Sequence, residues 1–278
     1  MRRAPVAAIT LALLLAVAAS GCGSGGTSGA ARKPVILATT TSTEDSGILE
    51  EFVKRFEAEN PSYKIKPIAV GSGAALFMGS NGDADIMLTH EPKAEKDFVA
   101  QGNAESQFKL MHNGFVIVGP ASDPAHIKGM KDGAAAMKAI AASGAGFLSR
   151  GDASGTNAME MTLWERAGVN PAGQPWYYES GQGMGETLRI ADEKRIYTIT
   201  DQATYIVMSP YLKLKMMVEG DPTMRNQYTV TIVNPKKFPR VNNKGALAFA
   251  KYLKEPATRK FIQQYGWDRY KQHLFYPD

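Results

Sequence analysis

LATTTSTEDSG, residues 37–47, decides the fold and says where an anion would sit. The apolar run Val35-Ile36-Leu37-Ala38 ends in consecutive hydroxyl residues from Thr39 to Thr43. Ile48, Leu49, Phe52, Val53 and Phe56 follow at spacings that fill one face of a helix. The order is therefore strand, hydroxyl loop, helix. Such a loop sets O–H donors beside the free N–H groups of a helix N-terminus, a combination suited to an anion. Helix capping alone would use one of these hydroxyls and leave the others unexplained.

Outward from this stretch, strands and helices alternate. Ile65–Val70 reads as a strand running into Gly71-Ser72-Gly73 and a helix over Ala74–Met78. Asp85–Thr89 is a strand, and Pro92–Ala100 a helix opened by proline. Phe115–Val118, Phe147–Ser149, Ile196–Ile199, Leu214–Val218 and Tyr228–Val233 read as further strands. Helices are expected over 133–142, after Thr156, after the Thr200-Asp201 cap, and over 244–254 and 256–265. The alternation predicts an α/β fold with mainly parallel sheets, whose ligands bind beyond the carboxyl ends of the strands.

Three loops share that position and are rich in donors: Thr39–Thr43, Gly71–Gly73 and Arg150–Thr156. In the third, Gly151 and Gly155 permit close backbone approach, and Ser154 and Thr156 bring hydroxyls to the next helix. Arg150 adds a permanent charge on a planar fork of donors. Asp152 is read as the partner that fixes the Arg150 guanidinium. The set is what a tetrahedral oxyanion requires, although a surface ion pair without ligand would also place Arg beside Asp.

The first residues concern address. Met1-Arg2-Arg3, the apolar run Val6–Ala19 and the small residues Ala19-Ser20-Gly21 form a secretory signal over 1–21, too short for a membrane span. Cys22 is the single cysteine, so no internal disulfide is available to the exported domain. Residues 22–33 read as a flexible tether, the Gly/Ser-rich part spanning roughly 15–20 Å. Arg2 and Arg3 leave with the signal, which lowers the formal charge of +5 by two. Acidic and basic residues interleave in the rest, with no basic block for nucleic acid and no second apolar stretch of membrane length.

LATTTSTEDSG, Ile68–Gly73 (IAVGSG), Asn81–Asp85 (NGDAD), Ser149–Thr156 (SRGDASGT), Gly181–Gly185 (GQGMG) and Val218–Asp221 (VEGD) together resemble the tungstate-binding proteins of ABC importers, in order over about residues 35–275. The resemblance implies a two-lobed, type II periplasmic-binding-protein fold: two mainly parallel sheets, flanking helices and a hinge crossed twice by the chain. It places 34–112 and 227–278 in lobe one and 113–226 in lobe two, with crossings near Met111–Phe115 and Val218–Tyr228. The oxyanion site carried over by position comprises Thr39, Thr40, Thr41, Ser42, Ser72, Arg150, Ser154, Gly155 and Thr156, with Asp152 in support. Asn157 and Gln202 depart from the pattern, where His and Arg are expected. Ala19–Cys22 resembles a lipobox with Ala in place of Leu, which implies a lipid on Cys22.

The implied function is capture of tungstate by an extracytoplasmic lipoprotein, in the periplasm or at the outer cell surface, and delivery to an ABC permease with its ATPase. The alternatives are molybdate, then phosphate or sulfate, or a sensor of the same fold. No cofactor or resident metal is expected, the chain is expected to be a monomer, and its membrane contact only through the lipid. An enzyme would need a nucleophile with a base, a metal cluster or a cofactor loop. His90, His112, His126 and His273 are scattered, and no HExxH, GxSxG or GxxxxGK[ST] pattern occurs. His90 reads as structural, Gly181–Gly185 as a loop before a helix, and Trp176-Tyr177-Tyr178 as cover for an interdomain face.

Overall fold

A computed structural model describes residues 32–278. The signal, Cys22 and most of the tether lie outside the described residues. In chain order the elements are β1 (Lys33–Thr40), α1 (Thr41–Asp45), α2 (Ile48–Glu59), β2 (Tyr63–Val70), α3 (Ser72–Asn81), β3 (Ile86–Thr89) and α4 (Pro92–Ala100). Then come β4 (Ala104–Gly119), α5 (Gly133–Ser143), β5 (Phe147–Ser149), α6 (Gly155–Ala167), β6 (Tyr177–Glu179), α7 (Met184–Lys194) and β7 (Tyr197–Asp201). The chain closes through α8 (Gln202–Met208), β8 (Lys215–Val218), β9 (Arg225–Val233), α9 (Asn243–Lys254), α10 (Pro256–Gln264), α11 (Trp267–Tyr270) and β10 (Tyr276–Pro277). No helix among the described residues is long and apolar enough to cross a membrane.

The strands run β2-β1-β3-β9-β4-β7-β5-β6, with β10 and β8 also on β4. β4 belongs to both lobes. It pairs with β9 as far as Gly114↔Arg225, and with β7 from Phe115↔Asp201 onward. The chain returns between β8, on the lobe-two half of β4, and β9, on the lobe-one half. The expectation of mainly parallel sheets needs correction, since each sheet is mixed. β1 runs parallel to β2 and β3, and β5 to β6 and β7, whereas every pairing of β4 and β9 is antiparallel. β4 passes between the lobes and β9 takes up the returning chain in lobe one, both outside the strand–helix–strand units, whose crossovers are what keep strands parallel.

Each lobe has its own core. In lobe one the α2 residues Phe52 and Phe56 pack against Phe249 of α9 and the sheet residues Leu37, Ile86 and Val230. Each such buried side chain contributes about 1.5–3 kcal/mol relative to exposure. In lobe two Phe147, Leu163, Trp164 and Tyr197 form the corresponding centre. Trp176 and Tyr177 pack on that centre, with Trp164 and Trp176 rings 5.5 Å apart, so they do not cover an interdomain face. One helix serves both cores. Ala203 and Ile206 of α8 are buried in lobe one, while Tyr205 of the same helix is buried among lobe-two residues.

Candidate functional site

The hydroxyl stretch is not a loop. β1 continues through Thr40 and α1 begins at Thr41. Gly47, at φ +79°, then separates α1 from α2, which is why the helical pattern starts afresh at Ile48. Thr39 and Thr43 are spent inside this turn. The Thr39 hydroxyl lies 3.0 Å from Leu88 O and 2.9 Å from Thr43 Oγ1, while Thr43 Oγ1 donates to Thr40 O at 2.6 Å. Each hydroxyl has one proton, so Thr39 has none to spare for a ligand.

Thr40, Ser42 and Ser72 stand differently. Thr40 Oγ1 and Ser42 Oγ are 3.1 Å apart, both side chains buried. Ser72 Oγ accepts from His90 N at 3.2 Å, which leaves its own proton to donate. Thr41 Oγ1 accepts from Met184 N at 3.3 Å and keeps its proton likewise.

Lobe two supplies the charge. Arg150 follows β5 and is the one lysine or arginine buried among the described residues, at 2% exposure. Its Nη2 donates to Asp152 Oδ2 at 2.6 Å, whereas Nε and Nη1 are buried without a partner. Thr156 Oγ1, at the start of α6, is also buried and unpartnered. Ser154 is the N-cap of α6, its Oγ accepting from Asn157 N at 3.1 Å. Asp152 also accepts from Ser154 N through Oδ1, so one carboxylate fixes both the guanidinium and the turn. The first N–H groups of α6, at Gly155 and Thr156, have no intrahelical acceptor.

Beneath the turn lies a carboxyl group that motif reading missed. Glu160 accepts from Ser149 Oγ at 2.6 Å, Tyr177 OH at 2.8 Å and Trp164 Nε1 at 3.1 Å. Burial raises its pKa, against the pull of those hydrogen bonds. Asn157 donates to Ser149 and Glu160, so this departure from the expected His rests in the supporting layer. Gln202 sits farther off, lining a cavity with Asn113, Lys131 and Glu219 in which Arg150 takes no part.

His90, read from the sequence as structural, directly follows β3, as the donor turns follow β1 and β5. Asn226 Nδ2 donates to Asn113 Oδ1 and Tyr228 OH, so its Oδ1 accepts from His90 Nδ1 at 2.8 Å. The bare Nε2 then faces Ser42 Oγ at 3.4 Å. Burial lowers the His90 pKa to about 3, the Asn226 bond opposing and the Arg150 charge reinforcing the shift. The imidazole is neutral.

The two groups of residues meet across the lobes. Gly73 N donates to Ala153 O at 2.8 Å. A Cβ on Gly73 would lie 2.8 Å from Ala153 O, and one on Gly155 2.3 Å from His90 O. The donor turns at Gly71–Gly73 and Arg150–Thr156 therefore face each other across the lobes, with His90 against Gly155. The arrangement holds one full positive charge, shared with Asp152, and otherwise O–H and N–H dipoles. Such a set can bind a small dianion through many directed donors.

Residues 18–256 match the PBP superfamily domain. The chain is 40% identical over 278 residues to the tungstate-binding protein TupA of Peptoclostridium acidaminophilum, covering 97% of this chain and 96% of that protein. The solved structure of the tungstate ABC transporter from Geobacter sulfurreducens is similar with a TM-score of 0.76 and 43% identity, covering 84% of this chain and 98% of that one. The tungstate-binding protein TupA of Desulfovibrio alaskensis G20 is similar with a TM-score of 0.73 and 42% identity, over 88% of this chain and 99% of that one.

Proposed function

Since this chain belongs to the PBP superfamily and, within it, to the tungstate-binding proteins of ABC importers, we propose that it captures tungstate between its lobes and passes it to an ABC permease. The observation that carries the reading is the trio of buried donors without partners, Arg150 Nε, Arg150 Nη1 and Thr156 Oγ1. Unpaired buried donors are costly, and an oxyanion bonded to them removes that cost. Ser72, Ser154, Thr40, Thr41, Ser42 and the first amides of α6, Gly155 included, complete the donor set. Asp152 holds Arg150 in place. Thr39, part of the motif by position, shapes the turn instead of bonding the ligand.

On this reading the chain is a binding protein, with neither catalytic residue nor cofactor. The hinge is the β4 crossing at Gly114-Phe115 with the return over 218–225, dividing lobe one (34–112 and 227–278) from lobe two (113–226). Hinge closure by periplasmic binding proteins is a general property of that class. Cys22 would carry the lipid that leashes the domain to a membrane as a monomer, with the permease and its ATPase nearby. Titration calorimetry of the mature domain with tungstate, molybdate, phosphate and sulfate tests the ligand. Binding of tungstate or molybdate well ahead of the other two supports it, and preference for phosphate overturns it. Sedimentation of Cys22→Ala with membranes after normal processing would remove the anchor.

A further inference from the structure

Helix α7 begins without a cap of its own. Its N-cap is Gly183, which has no side chain to accept from the first amides. Those amides are satisfied from the other lobe. Met184 N donates to Thr41 Oγ1 at 3.3 Å, and Gly185 N to Asp45 Oδ2 at 2.9 Å. Thr41 and Asp45 stand four residues apart on α1, one turn, and so share a face. The seat they enter is shaped by absent side chains. A Cβ on Gly185 would stand 3.1 Å from Asp45 Oδ1, and one on Gly183 3.3 Å from Thr41 Cγ2. The Gly181–Gly185 motif, which the anion site does not use, thereby acquires a role.

We infer that Asp45 is a positioning residue for ligand retention: its carboxylate caps α7 across the cleft and holds the lobes closed, acting through that helix instead of through the anion. The inference rests on the proposed oxyanion binding. A carboxylate at the N-terminus of a helix gains both a charge-assisted hydrogen bond and the favourable end of the helix dipole. Burial raises the Asp45 pKa, while the Gly185 N–H and the charges of Arg150 and Arg189 pull it back. Because α1 carries Thr41 and Ser42 at one end and Asp45 at the other, a single short element couples the site to the clasp.

The test compares wild type, Asp45→Ala and Asp45→Asn in stopped-flow binding of tungstate. Asp45→Ala is expected to release tungstate about tenfold faster. Its association rate should stay within about twofold, since affinity changes fall mainly on dissociation. Asp45→Asn, which keeps an acceptor oxygen without the charge, should fall between. The melting midpoint of the ligand-free variants should match wild type if the clasp forms on closure. Equal release rates in Asp45→Ala and wild type would overturn the clasp while leaving the proposed ligand intact. So would an equal loss of melting midpoint with and without tungstate, which marks an ordinary structural contact. Amide exchange at Gly185 reads the clasp directly. If phosphate, sulfate or molybdate protects Gly185 in an Asp45-dependent way while tungstate does not bind, the ligand falls and the clasp stands.

Discussion

Arg150 is the one lysine or arginine buried among the described residues, and two of its guanidinium nitrogens have no partner. Thr39, by contrast, has its proton engaged by neighbours such as Leu88 O, 3.0 Å away on another strand. Arg150→Ala should weaken tungstate binding at least a hundredfold, by removing charge-assisted bonds in a dry cleft. Arg150→Lys should recover part of this, since an ammonium lacks the planar fork. Calorimetric affinities of the two variants check the order, and an alanine variant with wild-type affinity would exclude Arg150 from the site. His90 makes a separate prediction about acid stability. Its pKa is about 3 in the folded chain against 6.5 as a free group. As pH falls through 6.5 the unfolded chain takes up a proton and the folded chain does not, so stability falls by up to about 1.4 kcal/mol per pH unit until about pH 3. Asp201, pushed up to about 6 by burial, opposes this below pH 6, because there the folded chain binds its proton first. Urea unfolding of wild type and His90→Gln between pH 4 and 7 isolates the histidine. The wild-type chain should lose more stability on acidification, and parallel curves would count against a neutral His90.

Elements bounded by one strong signal came out close to expectation, as with Pro92–Ala100 and Phe147–Ser149, which match α4 and β5 residue for residue. β4 did not. Only its apolar end, Phe115–Val118, was legible, whereas the strand starts at Ala104. Its first half mixes exposed and buried positions and is interrupted by Lys109, His112 and Asn113, so it shows no clean period. What holds it is pairing with β9, more than a hundred residues away. The glycines at element starts were legible as turns, but not as the surfaces on which one lobe meets the other. Gly155 opens α6 against the His90 carbonyl, and Gly73 lies in the first turn of α3 against Ala153. Gly155→Ala should therefore leave each lobe folded and prop the cleft open, as should Gly73→Ala. Circular dichroism should be unchanged, tungstate affinity should fall, and small-angle scattering at saturating tungstate should show a larger radius than wild type. Wild-type affinity with wild-type radius would mean that the neighbouring backbone yields more easily than the 2.3 Å approach implies.

At the scale of the whole molecule, the two lobes were legible through the family motifs, but the bridging role of α8 was not. It lies within the stretch assigned to lobe two, yet buries Ala203 and Ile206 in lobe one, and periodicity cannot reveal which core a helix face will meet. With both cores tied by α8 and, on the proposed reading, by an anion bonded from both sides, ligand should stabilise the chain as one unit. At a thousandfold excess over the dissociation constant, binding contributes about 4 kcal/mol to the folded state. For a chain of this size that raises the melting midpoint by roughly 8–16 °C. Which anion produces the rise follows from counting protons. Tungstate near neutral pH presents acceptors only, which suits Arg150, Thr156, Ser72 and the α6 amides. Phosphate still carries an O–H, and in a dry site an unmade bond to it costs about 1–3 kcal/mol. Asp152, the carboxylate beside Arg150, already receives Arg150 Nη2 and Ser154 N. Equal concentrations of tungstate and phosphate should thus give a large shift with the first and little with the second between about pH 7 and 9, a range in which guanidinium and ordinary carboxylates do not titrate. Asp152→Asn should reduce the tungstate shift modestly by loosening Arg150. If phosphate instead matches tungstate in wild type, and Asp152→Asn abolishes the phosphate shift alone, then Asp152 accepts the ligand's proton and the cleft is built for phosphate.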